Sequence, residues 1–236
     1  ADMRDMIDAT RFAISTEETR YYLNGIYLHK SDQGDLCAVA TDGHRLALTR
    51  QALPSGAAGM PSIIVPRKAV TELRKLLDDV EGEVGVALSD TRAEFTFGAV
   101  RLKTKLIDGT FPDYTRVIPQ GNDRIMQVDA ASFSAAVDRV STISSEKSRS
   151  VKMKLAPGVL NLSASSTDAS SAVEELEISY DGAEMEIGFN ARYLLDIASQ
   201  VESDIIEFAL ADQGSPSLVR APGDESTLFV LMPMRV

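Results

Sequence analysis

Apolar and polar positions follow two rhythms that exchange places along the chain. Met3, Met6, Ile7, Thr10, Ala13 and Ile14 recur at helical spacing and predict a helix over 2–14, with Arg4 and Arg11 at the edge of its stripe. Strand-like segments follow at 20–29, 36–40, 45–50 and 62–65, punctuated by Pro54-Ser55-Gly56 and Gly59-Met60-Pro61. Val70, Leu73, Leu76, Leu77 and Val80 stripe a second helix over 66–80, which opens on proline. Strands resume at 84–88, 92–97 and 100–106.

Residues 108–114, Asp-Gly-Thr-Phe-Pro-Asp-Tyr, interrupt the pattern, and the same order then starts again. Phe133, Val137, Val140 and Ile143 predict a helix, followed by strands at 151–155, 159–164, 172–180 and 185–189. A helix over 190–201, striped by Leu194, Ile197, Ala198 and Val201, precedes strands at 205–211, 217–220 and 227–231. Three anchors give the period: Ile14-Ser15 with Ile143-Ser144, Thr41-Asp42 with Thr167-Asp168, and Val65-Pro66 with Phe189-Asn190, separated by 129, 126 and 124 residues. A repeat this long implies an α+β chain of two tandem pseudo-symmetric domains, 1–117 and 118–236. Each has two helices on antiparallel sheet of about eight strands.

Within the first copy, Asp42-Gly43 lies where a hairpin reverses between 36–40 and 46–48. His44 and Arg45 follow at once, and glycine is too small to cover a ring and a guanidinium. The surface there is expected to be partly open.

Composition narrows the chemistry. The 236 residues are 44% hydrophobic and 25% charged, enough for two buried cores. No apolar run approaches the roughly 20 residues that span a bilayer, and Ala1-Asp2-Met3-Arg4-Asp5 lacks the apolar core of a secretion signal, so a cytoplasmic protein is expected. The single Cys37 excludes an internal disulfide; with only His29 and His44 beside it, no metal site and no cofactor is expected. The net charge of −11 opposes nucleic-acid binding in general. It is unevenly spread, however, at −2 over 1–117 (15 basic, 17 acidic) and −9 over 118–236 (9 basic, 18 acidic). A basic face can coexist with that acidic exterior.

Arg67, Lys68, Arg74 and Lys75 lie opposite the apolar stripe of their helix. A solvated face explains such charges in general, but Arg67 and Lys68 occupy the first turn, where the helix dipole disfavours cations. Phosphate contact is the other explanation, and Arg4, Arg11, Arg139 and Arg192 would extend the same surface. Arg20-Tyr21-Tyr22 offers charge and stacking faces for nucleic acid, or sheet packing. The tail, Met232-Pro233-Met234-Arg235-Val236, is apolar where chain ends are usually polar, which suits a wall of a hydrophobic peptide pocket. Asp42 and His44, with Thr41 or Ser55 as hydroxyl, are the start of a hydrolase constellation, but no nucleophile elbow or phosphate loop accompanies them. The residues alone leave a DNA-associated protein, a two-domain peptide-binding scaffold and a hydrolase as readings.

Ala40-Thr41-Asp42-Gly43-His44-Arg45-Leu46-Ala47, Phe111-Pro112-Asp113-Tyr114 and Met232-Pro233-Met234-Arg235 occur in an order that resembles the bacterial DNA polymerase III β subunit, the sliding clamp family. The resemblance covers the whole chain and the second and third of the family's three domains. It implies the DNA-clamp fold and a non-enzymatic processivity factor. Such a clamp encloses duplex DNA without base-specific contacts and holds the polymerase III α subunit, the clamp loader, other polymerases and repair proteins through short peptides.

By that resemblance Arg20, Tyr21 and Tyr22 contact DNA; Arg67, Lys68, Arg74 and Lys75 are added from helix geometry. The peptide pocket is expected between the two domains. Leu23, Thr41, Gly43, His44, Arg45 and Leu46 match one wall, and Pro112, Arg116 and Val117 the floor. Asn190, Tyr193, Ser217, Val230, Leu231, Met232, Pro233, Met234 and Arg235 match the other side. Val236 stands where the family has leucine. The duplicate turn at Thr167-Asp168 lacks Gly-His-Arg, so Thr41-Asp42 belongs to the domain plan and 43–46 to the pocket. Ile143, within 142–147, matches the dimer-forming edge of a homodimer ring. That edge meets the first domain of a second subunit, so this chain is expected to be a fragment or processed form that does not close the ring.

Overall fold

The structure, a computed structural model, describes residues 2–79, 82–144, 149–166 and 170–235. It divides into two compact units, Ala1–Tyr114 and Thr115–Val236, at the end of the segment that interrupts the repeat.

In the first unit α1 (Asp2–Thr10) buries Met6, Ile7 and Thr10 and runs into a 3-10 turn, Arg11–Ala13. The strands β1 (Gly25–Lys30), β2 (Asp35–Thr41), β3 (Arg45–Ala52) and β4 (Ile63–Pro66) pair antiparallel in the order β4-β1-β2-β3. After α2 (Arg67–Leu76), which buries Ala69, Val70 and Leu73, comes a second sheet of β5 (Gly85–Leu88), β6 (Arg92–Phe97) and β7 (Val100–Lys105). Along β6, Ala93, Phe95 and Phe97 point inward and alternate with less buried residues, the period of a strand with one face on the core.

The second unit repeats this plan. It consists of β8 (Arg124–Asp129), α3 (Ala130–Ser141), β9 (Ser150–Ala156), β10 (Val159–Ser165), β11 (Ser171–Glu177), β12 (Met185–Asn190), α4 (Ala191–Ala198), β13 (Ile205–Leu210), β14 (Ser217–Arg220) and β15 (Thr227–Leu231). The order β12-β9-β10-β11 answers β4-β1-β2-β3, and β13, β14 and β15 answer β5, β6 and β7, with β8 added beside β13. Phe133 of α3 and Phe208 of β13, both buried, meet at 5.4 Å in its core.

Local departures from the expected elements have physical causes. Residues 20–29 are not one extended segment: Glu18–Leu23 forms 3-10 turns, with Arg20 out of helical geometry at φ −111°, ψ 51°. The strand β1 starts only at Gly25, where a Cβ would stand 2.2 Å from the Val65 carbonyl oxygen; the sheet closes there because a side chain is absent. Pro66 is the residue before α2 rather than its first turn, and the helix tightens into 3-10 geometry at Leu77–Asp79. α4 is shorter than its apolar stripe, ending at Ala198. Val80, the Thr167-Asp168 anchor and positions 145–147 of the expected dimer edge lie outside the described residues.

Candidate functional site

The hairpin between β2 and β3 is organised by Asp42. Its Oδ1 accepts from the backbone N–H groups of His44 (2.9 Å) and Arg45 (3.1 Å), and its Oδ2 accepts from Arg45 Nε (3.2 Å). The Thr41 hydroxyl donates to the Arg45 carbonyl (2.7 Å) and accepts from Gly43 N–H (3.1 Å). Gly43 takes φ 88°, a left-handed conformation that suits glycine. These bonds engage the Asp42 carboxylate and the Thr41 hydroxyl, two of the groups named for a hydrolase beside His44 and Ser55, in holding the turn.

The expected opening is only half present. His44 is exposed, but Arg45 is 8% exposed. Its terminal nitrogen donates to the Phe12 carbonyl (2.8 Å) and its guanidinium carbon lies 5.1 Å from the Phe12 ring centre. The turn after α1, and not glycine, covers the guanidinium. Leu46 is buried behind it.

The turns Glu18–Leu23 carry Arg20, Tyr21 and Tyr22 together with Leu23. Arg20 Nε and one terminal nitrogen donate to the two Glu17 carboxylate oxygens at 2.8 Å each, and this pairing raises the guanidinium pKa. The other terminal nitrogen rests on the hairpin: a Cβ at Gly43 would come within 2.6 Å of it. Tyr21 is 53% exposed and meets the Tyr22 ring edge-on at 5.7 Å. Leu23 is buried, with its carbonyl accepting from Ser15 N–H (3.1 Å).

The segment that ends the first unit is anchored on β1. Phe111 stacks on Tyr27, rings 4.7 Å apart and 6° from parallel. His29 Nδ1 lies 3.0 Å from the Lys30 carbonyl, which places the ring proton there and leaves Nε2 to accept from the Tyr114 hydroxyl at 2.9 Å. Burial, then the neighbouring Cys37, pushes the Tyr114 phenol up to about 12. Pro112, Arg116 and Val117 are exposed.

Most helix cations have carboxylate partners. Arg74 Nε donates to both oxygens of Asp8 (2.6 and 2.7 Å) and a terminal nitrogen donates to Asp78; Lys75 pairs with Glu72 (3.2 Å). Arg11 pairs with Asp8 (3.2 Å), Arg4 with Asp5 (3.8 Å), Arg139 with Glu174 and Arg192 with Asp196 (4.0 Å). Arg67 and Lys68 are exposed and, among the described residues, form no ion pair. They are the helix cations least committed inside the protein.

In the second unit Asn190 caps α4, its Oδ1 accepting from Arg192 N–H (2.9 Å) and Tyr193 N–H (3.4 Å). Tyr193 is half-buried. Ser217 is fully buried and its hydroxyl has no hydrogen-bond partner among the described residues. Val230 and Leu231 are interior residues of β15. Met232 is 39% exposed, Pro233 and Met234 are half-buried, and Arg235 is exposed. The tail is fastened, since Met234 N–H donates to the Gly188 carbonyl of β12 (2.8 Å). Ile143 is half-buried just past α3. Among the described residues no group of His, Cys, Asp and Glu is placed to hold a metal ion, and no helix is long and apolar enough to cross a membrane.

The family model for the DNA polymerase III beta subunit, central domain, matches residues 1–113, and that for its C-terminal domain matches 115–235. The chain belongs to the sliding clamp family. The beta sliding clamp of Caulobacter vibrioides is 53% identical over 234 residues, which is 98% of this chain and 63% of the relative. That of Pseudomonas putida is 38% identical over 234 residues, 99% of this chain and 64% of the relative. The crystal structure of a Bartonella birtlesii sliding clamp bound to griselimycin matches with a TM-score of 0.97 at 51% identity, covering 100% of this chain and 64% of that one. The chain therefore spans a little under two thirds of the length of these clamps. Its units are clamp domains, and the α+β DNA-clamp fold is the one expected from the sequence.

Within these domains, sequence reasoning passed over residues that hold the candidate groups in place. Phe12 covers Arg45, Tyr27 and His29 anchor residues 111–114, and Glu17 fixes Arg20. Only Glu17 carried a readable signal, an acid three positions before a base.

Proposed function

We propose that the chain supplies part of a bacterial sliding clamp, a cytoplasmic, non-catalytic processivity factor that tethers replicative polymerase and other partners to duplex DNA. The observation that carries this reading is the match of 1–113 and 115–235 to two successive clamp domains. For DNA, the first unit offers Arg20, Tyr21, Arg67 and Lys68 as exposed or partly exposed groups suited to phosphate and sugar contact without base readout. Arg74 and Lys75 contribute only if phosphate displaces their carboxylate partners.

For partner peptides, the exposed candidate groups are Gly43, His44 and Pro112 in the first unit and Arg116, Val117, Met232 and Arg235 in the second. Leu23, Arg45 and Leu46 in the first unit and Ser217, Val230 and Leu231 in the second are buried, which suits them to shaping their own unit's part of a peptide site rather than to direct contact. The Asn190 oxygen is engaged in its helix cap, which leaves the amide nitrogen to donate. Griselimycin, bound by the Bartonella clamp, is expected to bind this chain as well.

The test is titration with a labelled synthetic peptide carrying the clamp-binding segment of a polymerase III α subunit. His44→Ala and deletion of residues 232–236 should each weaken binding about tenfold. Unchanged affinity in both would remove the peptide assignment. A peptide-binding scaffold with no DNA role would show the same peptide results but no salt-dependent association with duplex DNA.

A further inference from the structure

Asp8 gains nothing from the helix that carries it. It lies in the last turn of α1, the end at which the helix dipole disfavours an anion, so its partners must account for it. Both its carboxylate oxygens accept from Arg74 Nε of α2 (2.6 and 2.7 Å), and Oδ1 also pairs with Arg11 Nε (3.2 Å) in the 3-10 turn that follows α1. Asp78 takes a terminal nitrogen of Arg74 as well, and Asp8, then Asp78, raise the pKa of that guanidinium. With Nε and a terminal nitrogen both engaged, the Arg74 side chain is only 18% exposed. On the same helix Arg67 and Lys68 are exposed and, among the described residues, form no ion pair.

We propose that Asp8 is a masking residue, which keeps the guanidiniums of Arg11 and Arg74 from phosphate and so holds down the affinity of the first unit for duplex DNA. The proposal rests on the sliding-clamp reading. Carboxylate and phosphate use the same donors of arginine, so a DNA phosphate reaches Arg74 only by displacing Asp8 or Asp78. That exchange breaks one ion pair to make another, and contributes far less than contact with an uncommitted cation. Arg67 and Lys68 have no such pair to break. The helix pair therefore carries Arg11, Arg67, Lys68 and Arg74 but offers DNA chiefly Arg67 and Lys68. Fewer neutralised phosphates mean a weaker contact and a shallower dependence on salt.

The experiment is a salt titration of the affinity for a short labelled duplex, with the melting temperature of each variant recorded. In the unmodified chain Arg67→Ala should flatten the slope of log K against log salt by roughly 0.9, one phosphate contact, and Arg11→Gln should leave it unchanged. Asp8→Asn should tighten the low-salt Kd about tenfold and steepen the slope by roughly 0.9 for each guanidinium released. Adding Arg11→Gln to Asp8→Asn should take back part of that gain. Glu175→Gln, at an exposed position of β11 in the second unit, makes the same change in net charge and should not alter the slope. A merely structural role for the Asp8–Arg74 pair predicts lost affinity when it is broken, never a gain. An Asp8→Asn slope equal to that of Glu175→Gln overturns the proposal; where Asp8→Asn fails to fold, equal losses from Arg11→Gln and Arg67→Ala overturn it. If the unmodified chain shows no salt-dependent association with duplex DNA, the DNA part of the clamp reading falls, and this proposal with it.

Discussion

The two units place the same elements in the same order, but they secure the starts of those elements differently. In the second unit the first N–H of each helix donates to a neighbouring carbonyl, Ala130 to Asp204 (2.8 Å) and Ala191 to Arg149 (2.8 Å), and a side-chain cap is added: Asp129 accepts from Ser132 N–H to open α3, and Asn190 accepts from Arg192 and Tyr193 to open α4. In the first unit, α2 follows Pro66 with no side-chain cap, and Arg67 N–H donates to the Asn24 carbonyl (2.9 Å), in the loop directly after the Glu18–Leu23 turns. Arg45 likewise reaches out of its hairpin to Phe12. The first unit ties its candidate DNA and peptide groups to neighbouring loops and starts α2 on a borrowed carbonyl alone, whereas the second backs each such helix start with a side-chain cap. Duplication has preserved the scaffold and left the means of fastening it free to differ.

The largest test of this difference is Arg45→Ala. It leaves the Asp42 Oδ2 and the Phe12 carbonyl without their partner in a mostly buried setting, and should cost about 2–3 kcal/mol of stability. His44→Ala, on the exposed side of the same turn, should stay within about 0.5 kcal/mol. Urea unfolding of the two variants compares them directly. Equal effects would mean that the hairpin does not depend on its contact with the turn after α1.

That hairpin also shows where the sequence was readable. Asp42-Gly43 between apolar runs predicts the reversal, and the spacing of Leu73, Phe95, Phe133 and Ile197 predicts buried faces, because period and turn chemistry are local properties. The 124- to 129-residue repeat likewise predicts two equivalent units. The burial of Arg45 was not legible, since Phe12 is distant in sequence and covers it only after folding. Nor was the start of β1 at Gly25, which can meet Val65 closely only once β1 and β4 have paired. Of the candidate site, motif order identified residue sets by resemblance, but exposure separated His44 from Arg45 and Met232 from Leu231.

A second test acts on the helix starts themselves. Asn190→Ala removes a side-chain cap and should destabilise by about 1 kcal/mol. Pro66→Ala at the corresponding place removes no hydrogen bond, because α2 takes its partner from Asn24, and should cost only a few tenths of a kcal/mol. Thermal melts of the two variants measure the contrast. A reversal of the order would break the distinction between a helix start with a side-chain cap and one without.

The smallest effect separates the two caps inside the second unit. The Ser132 hydroxyl, then its backbone N–H, holds the Asp129 carboxyl below its usual range, whereas the Asn190 amide carries no titrating group. The sign follows from linkage. A carboxyl with a lowered folded pKa stabilises the fold above its unfolded pKa of about 4, and that contribution is lost as pH falls through the lower folded value. Acidification should therefore loosen α3 at its N-terminus while α4 keeps its cap. Asp129→Asn, which retains an acceptor oxygen, should flatten this part of the pH dependence with little change at neutral pH. Hydrogen exchange at the α3 and α4 N-terminal amides across the acid range reads the two helices separately; equal loss of protection at both would show that their caps answer to unfolding of the whole unit rather than to their own chemistry.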